Sequence, residues 1–158
     1  MKPSRWLFTL AALLLGAFGF LFSAQAQNPP GPPLVLVLAT DPNAAEEGSD
    51  PAQFLVVRVG PANAPLTVHY ALGGTADNGD DYQMLSGEVT IPTGAYFAPV
   101  NVNPIDDFLI EGHESVVIAL QQPPVLPPPY IVTWPSVAAA EIADNDFEPT
   151  NRPPTVEL

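Results

Sequence analysis

The sequence predicts an all-β fold, an immunoglobulin-like antiparallel sandwich of seven strands, on three observations. Short apolar runs recur along the chain, separated by Gly, Pro, Asn and Asp. One run, Leu66-Thr67-Val68-His69-Tyr70-Ala71-Leu72, alternates strictly, with Leu66, Val68, Tyr70 and Leu72 on one face. Proline occupies 21 of 158 positions, and apolar residues nowhere keep helical spacing beyond a turn or two, which argues against a long helical protein.

Taken in order, residues 1–26 read as a secretory signal. Lys2 and Arg5 give a basic start, an apolar run follows from Trp6 to Phe22, and Ala24-Gln25-Ala26 supplies the small residues of a cleavage site before Gln27. The rival is an uncleaved membrane anchor through residues 6–22; that run lies at the short edge of what spans a bilayer, and the cleavage tripeptide favours removal. No cysteine follows the run, so a lipoprotein anchor is excluded. The expected location is therefore secreted or at the cell surface.

Residues 27–33, Gln-Asn-Pro-Pro-Gly-Pro-Pro, form an extended linker, since prolines support neither helix nor ladder. The sandwich is expected over 34–148, with strands at 34–39, 53–59, 66–72, 88–91, 98–105, 115–120 and 137–142. The run 53–59 is apolar on both faces, and its orientation stays open. Between the last two strands lies Gln121–Trp134, rich in proline. It reads as a stiff connection packing Val125, Tyr130 and Trp134 onto the sandwich, with a ligand for a proline-recognising groove as the competing reading. Residues 149–158 read as a second linker and the possible start of a further domain, because one incipient strand is not stable alone.

Charge carries the functional signal. The chain holds 4 Lys+Arg against 17 Asp+Glu, a formal charge of −13. Without Lys2 and Arg5, only Arg58 and Arg152 oppose all 17 acids, and the charge becomes −15. Such a surface excludes nucleic acid and anionic lipid as direct partners, because phosphate binding needs clustered cations. The lack of cysteine excludes disulfides, zinc–thiolate and iron–sulfur sites and a cysteine nucleophile.

Alternating strand direction sorts the connections between the two ends of a sandwich. The connections after the first, third and fifth strands and the exit of the seventh share one end, and they carry 14 of the 17 acids; the opposite loops carry none. A solvating pattern would spread acids over both ends. Carboxylates 4 Å apart repel by about 1 kcal/mol per pair even in water. A hard divalent cation is the economical counter-ion. Calcium takes six to eight oxygens in irregular geometry, whereas magnesium demands a strict octahedron, and zinc or copper would want His or Cys. His69 lies on a strand face away from the acids. An EF-hand is excluded: Asp77 and Glu88 occupy its positions 1 and 12, but Gly79 stands at position 3 and Tyr82 where position 6 needs glycine.

Over Val35 to Asp146 the sequence resembles a Calx-beta domain, the sandwich module of sodium–calcium exchangers, integrin β4 and many bacterial surface proteins. The resemblance rests on Glu46-Glu47-Gly48, Gly74-Thr75-Ala76 leading to Asp81-Tyr82, Gly87, Ile105-Asp106-Asp107, Glu111, Glu114 and Ile142-Ala143-Asp144-Asn145-Asp146. It implies a calcium cluster built by Glu46, Asp81, Asp106, Asp107, Glu111, Asp144 and Asp146, with Glu114 and Asn145 as further candidates; a slip of one residue would exchange Glu46 for Glu47. Phe108 stands where a third acid can follow the Asp106-Asp107 pair, and Asn145 replaces an acid in the closing triplet. Fewer anionic ligands imply one to about four ions, with affinity of about 10⁻⁵ to 10⁻³ M. Tyr82 is expected to pack under the acidic loop, and His113 to be exposed and inert.

Catalysis is not expected. No G-x-S-x-G elbow, H-E-x-x-H helix or glycine-rich phosphate loop occurs, and no aromatic-lined cleft flanks the paired acids. The expectation is an extracellular calcium-binding structural or adhesion module that orders its own loops and its junction with a neighbouring domain or protein partner, with no small-molecule substrate. The alternative is a metal-free spacer or interaction module.

Overall fold

The computed structural model describes residues 31–146; the expected signal, most of the first linker and the closing segment lie outside these residues. The described residues from Pro32 onward form one compact unit. Among the described residues, no helix is long and apolar enough to cross a membrane.

Among the described residues nine strands form two sheets. They are β1 (Leu34–Asp41), β2 (Asn43–Ala45), β3 (Ala52–Val59), β4 (Leu66–Gly74), β5 (Glu88–Ile91), β6 (Phe97–Val102), β7 (Glu114–Leu120), β8 (Ile131–Val132) and β9 (Val137–Ala143). One sheet has the order β6-β3-β1-β8, the other β2-β9-β7-β4-β5. The seven expected strands are β1, β3 to β7 and β9, all in antiparallel pairs.

To the seven expected strands the structure adds two. Both extra strands are short and pair in parallel, β2 with β9 and β8 with β1. The register of β1 slips between Ala39 and Asp41, and Pro42 then carries the chain to the other sheet, its carbonyl accepting the Glu141 amide at 2.9 Å. β8 is held by Gln122, which donates to the Tyr130 carbonyl and accepts the Val132 amide. Two or three residues are too few to display alternation, so neither segment carries a sequence signal. The strand expected over 98–105 ends at Val102. Pro104 has no amide to continue a ladder, and the Ile105 amide turns to the Asp81 carbonyl at 2.9 Å.

The core lies between the sheets. Val35, Val37, Phe54 and Val56 face Val68, Val116, Ile118 and Ile142, all buried. At the acidic end Tyr82 is buried beneath the loops, as expected. At the opposite end Tyr130 is fully buried; its hydroxyl donates to the Gln121 carbonyl at 2.9 Å and accepts the His69 amide at 3.1 Å. The other two residues expected to pack there do not: Val125 is 55% and Trp134 is 87% exposed. The single phenol satisfies both its apolar ring and its polar tip, and of the three residues it is the one that anchors the loop in the core.

Burial of Ala52, Phe54, Val56 and Arg58 settles the orientation of β3. Arg58 points inward and is 2% exposed, donating to the carbonyls of Ala64, Pro92 and Ala95. It is the one Lys or Arg between residues 31 and 146, and it ties together the two loops at the acid-free end. A buried guanidinium survives because its fork meets several carbonyl oxygens at once. Arg58→Met should lower the unfolding free energy by about 2–4 kcal/mol, since it strands the carbonyls of Ala64 and Ala95 and leaves Pro92 with the Ala95 amide alone. Arg58→Lys should recover less than half of that loss in urea titrations, because an ammonium cannot reproduce the fork.

Candidate metal centre

The exit of β9 organises the acidic end. The Asp144 carboxylate accepts the amides of Glu111 and Gly112 at 2.7 Å each and of Asp146 at 2.6 Å. These bonds hold its pKa below the ordinary carboxylate value, the Asp146 amide contributing most. Asp144 is therefore a fixed anion joining the loop before β7 to the end of β9. Gly112 has a φ of 77°, a conformation that presents its amide without the cost a side chain would bring.

Two groups of carboxylates form around it. Glu46, Asp144 and Asp146 place oxygens within 4.8 Å of one another, as do Asp81, Glu111 and Glu114. Glu46 follows β2, with its amide bonded to the Ala143 carbonyl at 3.1 Å. That parallel pairing carries its side chain under the end of β9, where it is 5% exposed. Glu46 Oε2 and Asp146 Oδ2 are buried with no hydrogen-bond partner among the described residues. Burial, then Asp144, raises the pKa of Glu46, and Asp146 is likewise raised by burial and then by Asp144. Orphaned buried carboxylate oxygens facing one another are the donor set a hard cation satisfies, so the residues fit calcium.

The second group is set by the turn after β4. There the amides of Thr75 and Ala76 both bond to the Ser115 carbonyl. A side chain on Gly74 would collide with that carbonyl, so the Gly74-Thr75-Ala76 stretch is a steric requirement for bringing β4 against the start of β7. The Asp81 carboxylate accepts the Asp77 amide at 2.6 Å, which closes the loop and fixes that side chain. Beside it Glu114 is pushed up to about 7, by burial first and then by Asp81 and Glu111.

Asp106 and Asp107 belong to neither triad. They line a cleft of about 550 Å³ with Glu47, Asp144, Asn145 and Asp146. Asp107 accepts the Leu109 amide at 2.7 Å and shapes its own loop, while Asn145 donates to Asp106 at 3.4 Å. All nine sequence-predicted residues thus lie at one end, six in the two triads and three in the cleft between Glu47 and the β9 exit. Glu46 is the glutamate drawn into the cluster, and Glu47 lies at the exposed rim. Glu114 stands level with Asp81 and Glu111 as a member of the second triad. Sequence reasoning missed the inward Arg58, whose signal was its place two residues after Val56 in a strand with buried even positions. His113 is exposed and His69 pairs with Glu88 at 3.5 Å on an outer sheet face, away from the acids.

The family model for the Calx-beta domain matches residues 33–146. The chain belongs to the Calx-beta family. Among solved structures, the apo form of the Calx CBD1 domain is 24% identical, covering 72% of this chain and 98% of its own, with a TM-score of 0.57. The Calx CBD2 domain is 14% identical, covering 71% of this chain and 86% of its own, with a TM-score of 0.53. A structure titled calcium binding domain CBD12 of CALX1.1 is 25% identical at a TM-score of 0.56; the match covers 72% of this chain and 46% of that one, so this chain spans about half its length. No curated protein sequence matches. The two-sheet architecture is therefore that of the Calx-beta sandwich, and the acidic end of this Calx-beta domain lies wholly within the matched residues.

The raised carboxylates give the metal-free domain an unusual pH response. Glu114 binds its proton more tightly folded than unfolded, so between its ordinary value of 4.5 and about 7 the native state carries more protons. Stability must then fall as pH rises through that window. Asp144 acts with the opposite sign, but only around and below its ordinary value of 3.8. Thermal scans in chelator should show the midpoint dropping by several degrees from pH 5 to pH 7.5, and Glu114→Gln should flatten the drop.

Proposed function

We propose that this Calx-beta domain is an exported, non-catalytic calcium-binding module whose acidic end is ordered by the ion. The observation that carries the reading is the buried Glu46 carboxylate, whose Oε2 has no partner while it faces Asp144 and Asp146. No Lys or Arg lies between residues 31 and 146 except Arg58, which is engaged at the other end. A cation is the missing charge. Calcium would be held by Glu46, Asp144 and Asp146 in one group and by Asp81, Glu111 and Glu114 in the other, with Asp106, Asp107 and Asn145 as further oxygen donors from the cleft. The ion supplies positive charge and a flexible oxygen shell. The chain's own residues supply the rigidity, because Asp144 ties the loop before β7 to the β9 exit.

The proposed consequence is mechanical. Neutralising the carboxylates stiffens the loops at the end from which the chain leaves β9, and so fixes the junction with whatever follows Asp146. Export rests on the N-terminal signal pattern, which also places the module where calcium is abundant. The apo CBD1 and CBD12 structures support the family setting, and the latter is titled a calcium binding domain.

Thermal unfolding in chelator, in millimolar calcium and in millimolar magnesium tests the reading. Occupancy at 100 times the dissociation constant stabilises by about 2.7 kcal/mol, or on the order of 10 °C for a domain of this size. Calcium alone should produce that rise, and an unchanged midpoint would refute the proposal. Glu46→Gln should show two opposite effects in the same scans. The metal-free midpoint should rise, because a buried repulsive charge is gone, and the calcium increment should shrink by more than half. Replacing Asp106 and Asp107 together with Asn should diminish the calcium increment while leaving the metal-free fold intact.

A further inference from the structure

The loop between β4 and β5 is closed by a side chain outside the carboxylate groups. Asn78 accepts the Leu85 amide at 2.8 Å and donates to the Leu85 carbonyl at 3.0 Å, so its carboxamide pairs with one residue in both directions, as a neighbouring strand would. The Leu85 side chain packs against the core, which makes it a firm anchor. Within the loop, the Gly79 amide donates to the Tyr82 carbonyl at 3.0 Å, and the Asp81 amide to the Asp77 carbonyl at 3.1 Å. Together with the bond from the Asp77 amide to the Asp81 carboxylate, these contacts settle where Asp81 stands in the second triad.

Each residue of the Asn78-Gly79 pair has its own structural reason. A carboxamide carries both the donor and the acceptor that Leu85 needs, and Gly79 has a φ of 104°, where a side chain is strained. A Cβ there would also press on the Met84 side chain. Side by side, the two form a reactive step. The backbone nitrogen after an asparagine can attack the carboxamide carbon and close a cyclic imide, and a following glycine offers the least obstruction. Asn78-Gly79 is the single Asn-Gly step in the sequence; Asn28 and Asn103 precede proline, and the remaining asparagines precede residues with side chains.

We propose that Asn78 is a deamidation site held in check by the fold, and that its conversion takes Asp81 out of the second triad. The step needs no co-reactant but water. The Gly79 nitrogen bonds to Cγ of Asn78, the Cγ–Nδ2 bond breaks, and Nδ2 leaves as ammonia with the Gly79 amide proton. Water then opens the imide at either carbonyl, leaving aspartate or isoaspartate at position 78. In the folded loop both reacting groups are engaged, the nitrogen by Tyr82 and the carboxamide by Leu85, so the reaction waits on local opening. Asn78 is exposed, and water is at hand once the loop opens.

The product cannot restore the loop. An aspartate has no hydrogen for the Leu85 carbonyl and sets an anionic oxygen against it. It also adds charge to a loop that already holds Asp77, Asp80 and Asp81. Isoaspartate lengthens the main chain by a methylene and breaks the spacing that joins Asp77 to Asp81. Glu46, Asp144 and Asp146 stand on other segments and keep their places. Where calcium binds as proposed above, the domain loses one of its two carboxylate groups; that consequence rests on the calcium reading, whereas the conversion does not.

Peptide mapping of the full chain in chelator tests it, with samples kept native or unfolded in urea at mildly alkaline pH. In urea, Asn78 should convert ahead of every other asparagine, to aspartate and isoaspartate. In the native chain the same conversion should be at least about tenfold slower, because the opened loop is a minor population. Equal rates in the two samples overturn the proposal, as does faster conversion of another asparagine in urea. Asn78→Asp supplies one product directly. In its native state the amides of Asp77 and Ile105, which bond to Asp81, should exchange hydrogen at least about tenfold faster than in the wild type, while the β7–β9 ladder keeps its rates. Unchanged exchange at both amides overturns the claim on Asp81. Asn78→Ala drops both Leu85 bonds without adding charge, and it gives the same reading if Asn78→Asp does not fold. Every measurement is made in chelator, so failure of the calcium reading leaves these outcomes untouched.

Discussion

Asp144 is the constraint on which the acidic end depends. One carboxylate gathers three backbone amides from two segments that lie more than 30 residues apart in sequence. Without it the loop before β7 would lose the two amide bonds of Glu111 and Gly112 to the β9 exit and keep only its ties through Ile105 and Asp106. Each additional carboxylate in that region adds repulsion, and the bonds to Asp144 resist the splaying that repulsion favours. Stability and readiness for a cation therefore come from the same geometry. Burial first raises Glu46 and Asp146, the fixed anion adds to that rise, and it holds the loops where those groups converge.

Charge is segregated along the molecule. The single cation between residues 31 and 146 is buried at the far end, bridging loops that contain no acid. It cannot neutralise the cluster, and its work is to hold the carbonyls of Ala64, Pro92 and Ala95 in the two loops. The sandwich between these poles is a conventional apolar core, with Tyr82 closing one end and Tyr130 the other. This polarity makes an ion the natural partner of one end.

Legibility from sequence followed the strength of the local pattern. Strands such as β4 and β7 alternate over seven or more residues and were readable because the period of two has room to repeat. β2 and β8 were not, since they exist through parallel pairing to distant partners and through the Gln122 side chain. The Gln121–Trp134 loop was half-readable: an aromatic was needed inside, yet composition could not say that Tyr130 would serve while Trp134 stayed in solvent. The candidate site was legible as a group, because strand parity alone sends its loops to one end.

By itself, the sequence determined the all-β class, the seven principal strands, the segregation of acids and the resemblance that matched residues 33–146 place on firm ground. These are properties of local periodicity and composition, which do not depend on what lies across the core. Only the tertiary structure decided that Glu46 rather than Glu47 turns inward, and that six acids divide into two triads while Asp106 and Asp107 line the cleft beside them. It also decided that β3 buries Arg58 and shows Leu55 and Val57 to the outside. Those outcomes turn on pairing between segments far apart in the chain, and a one-residue change of register would reverse each of them.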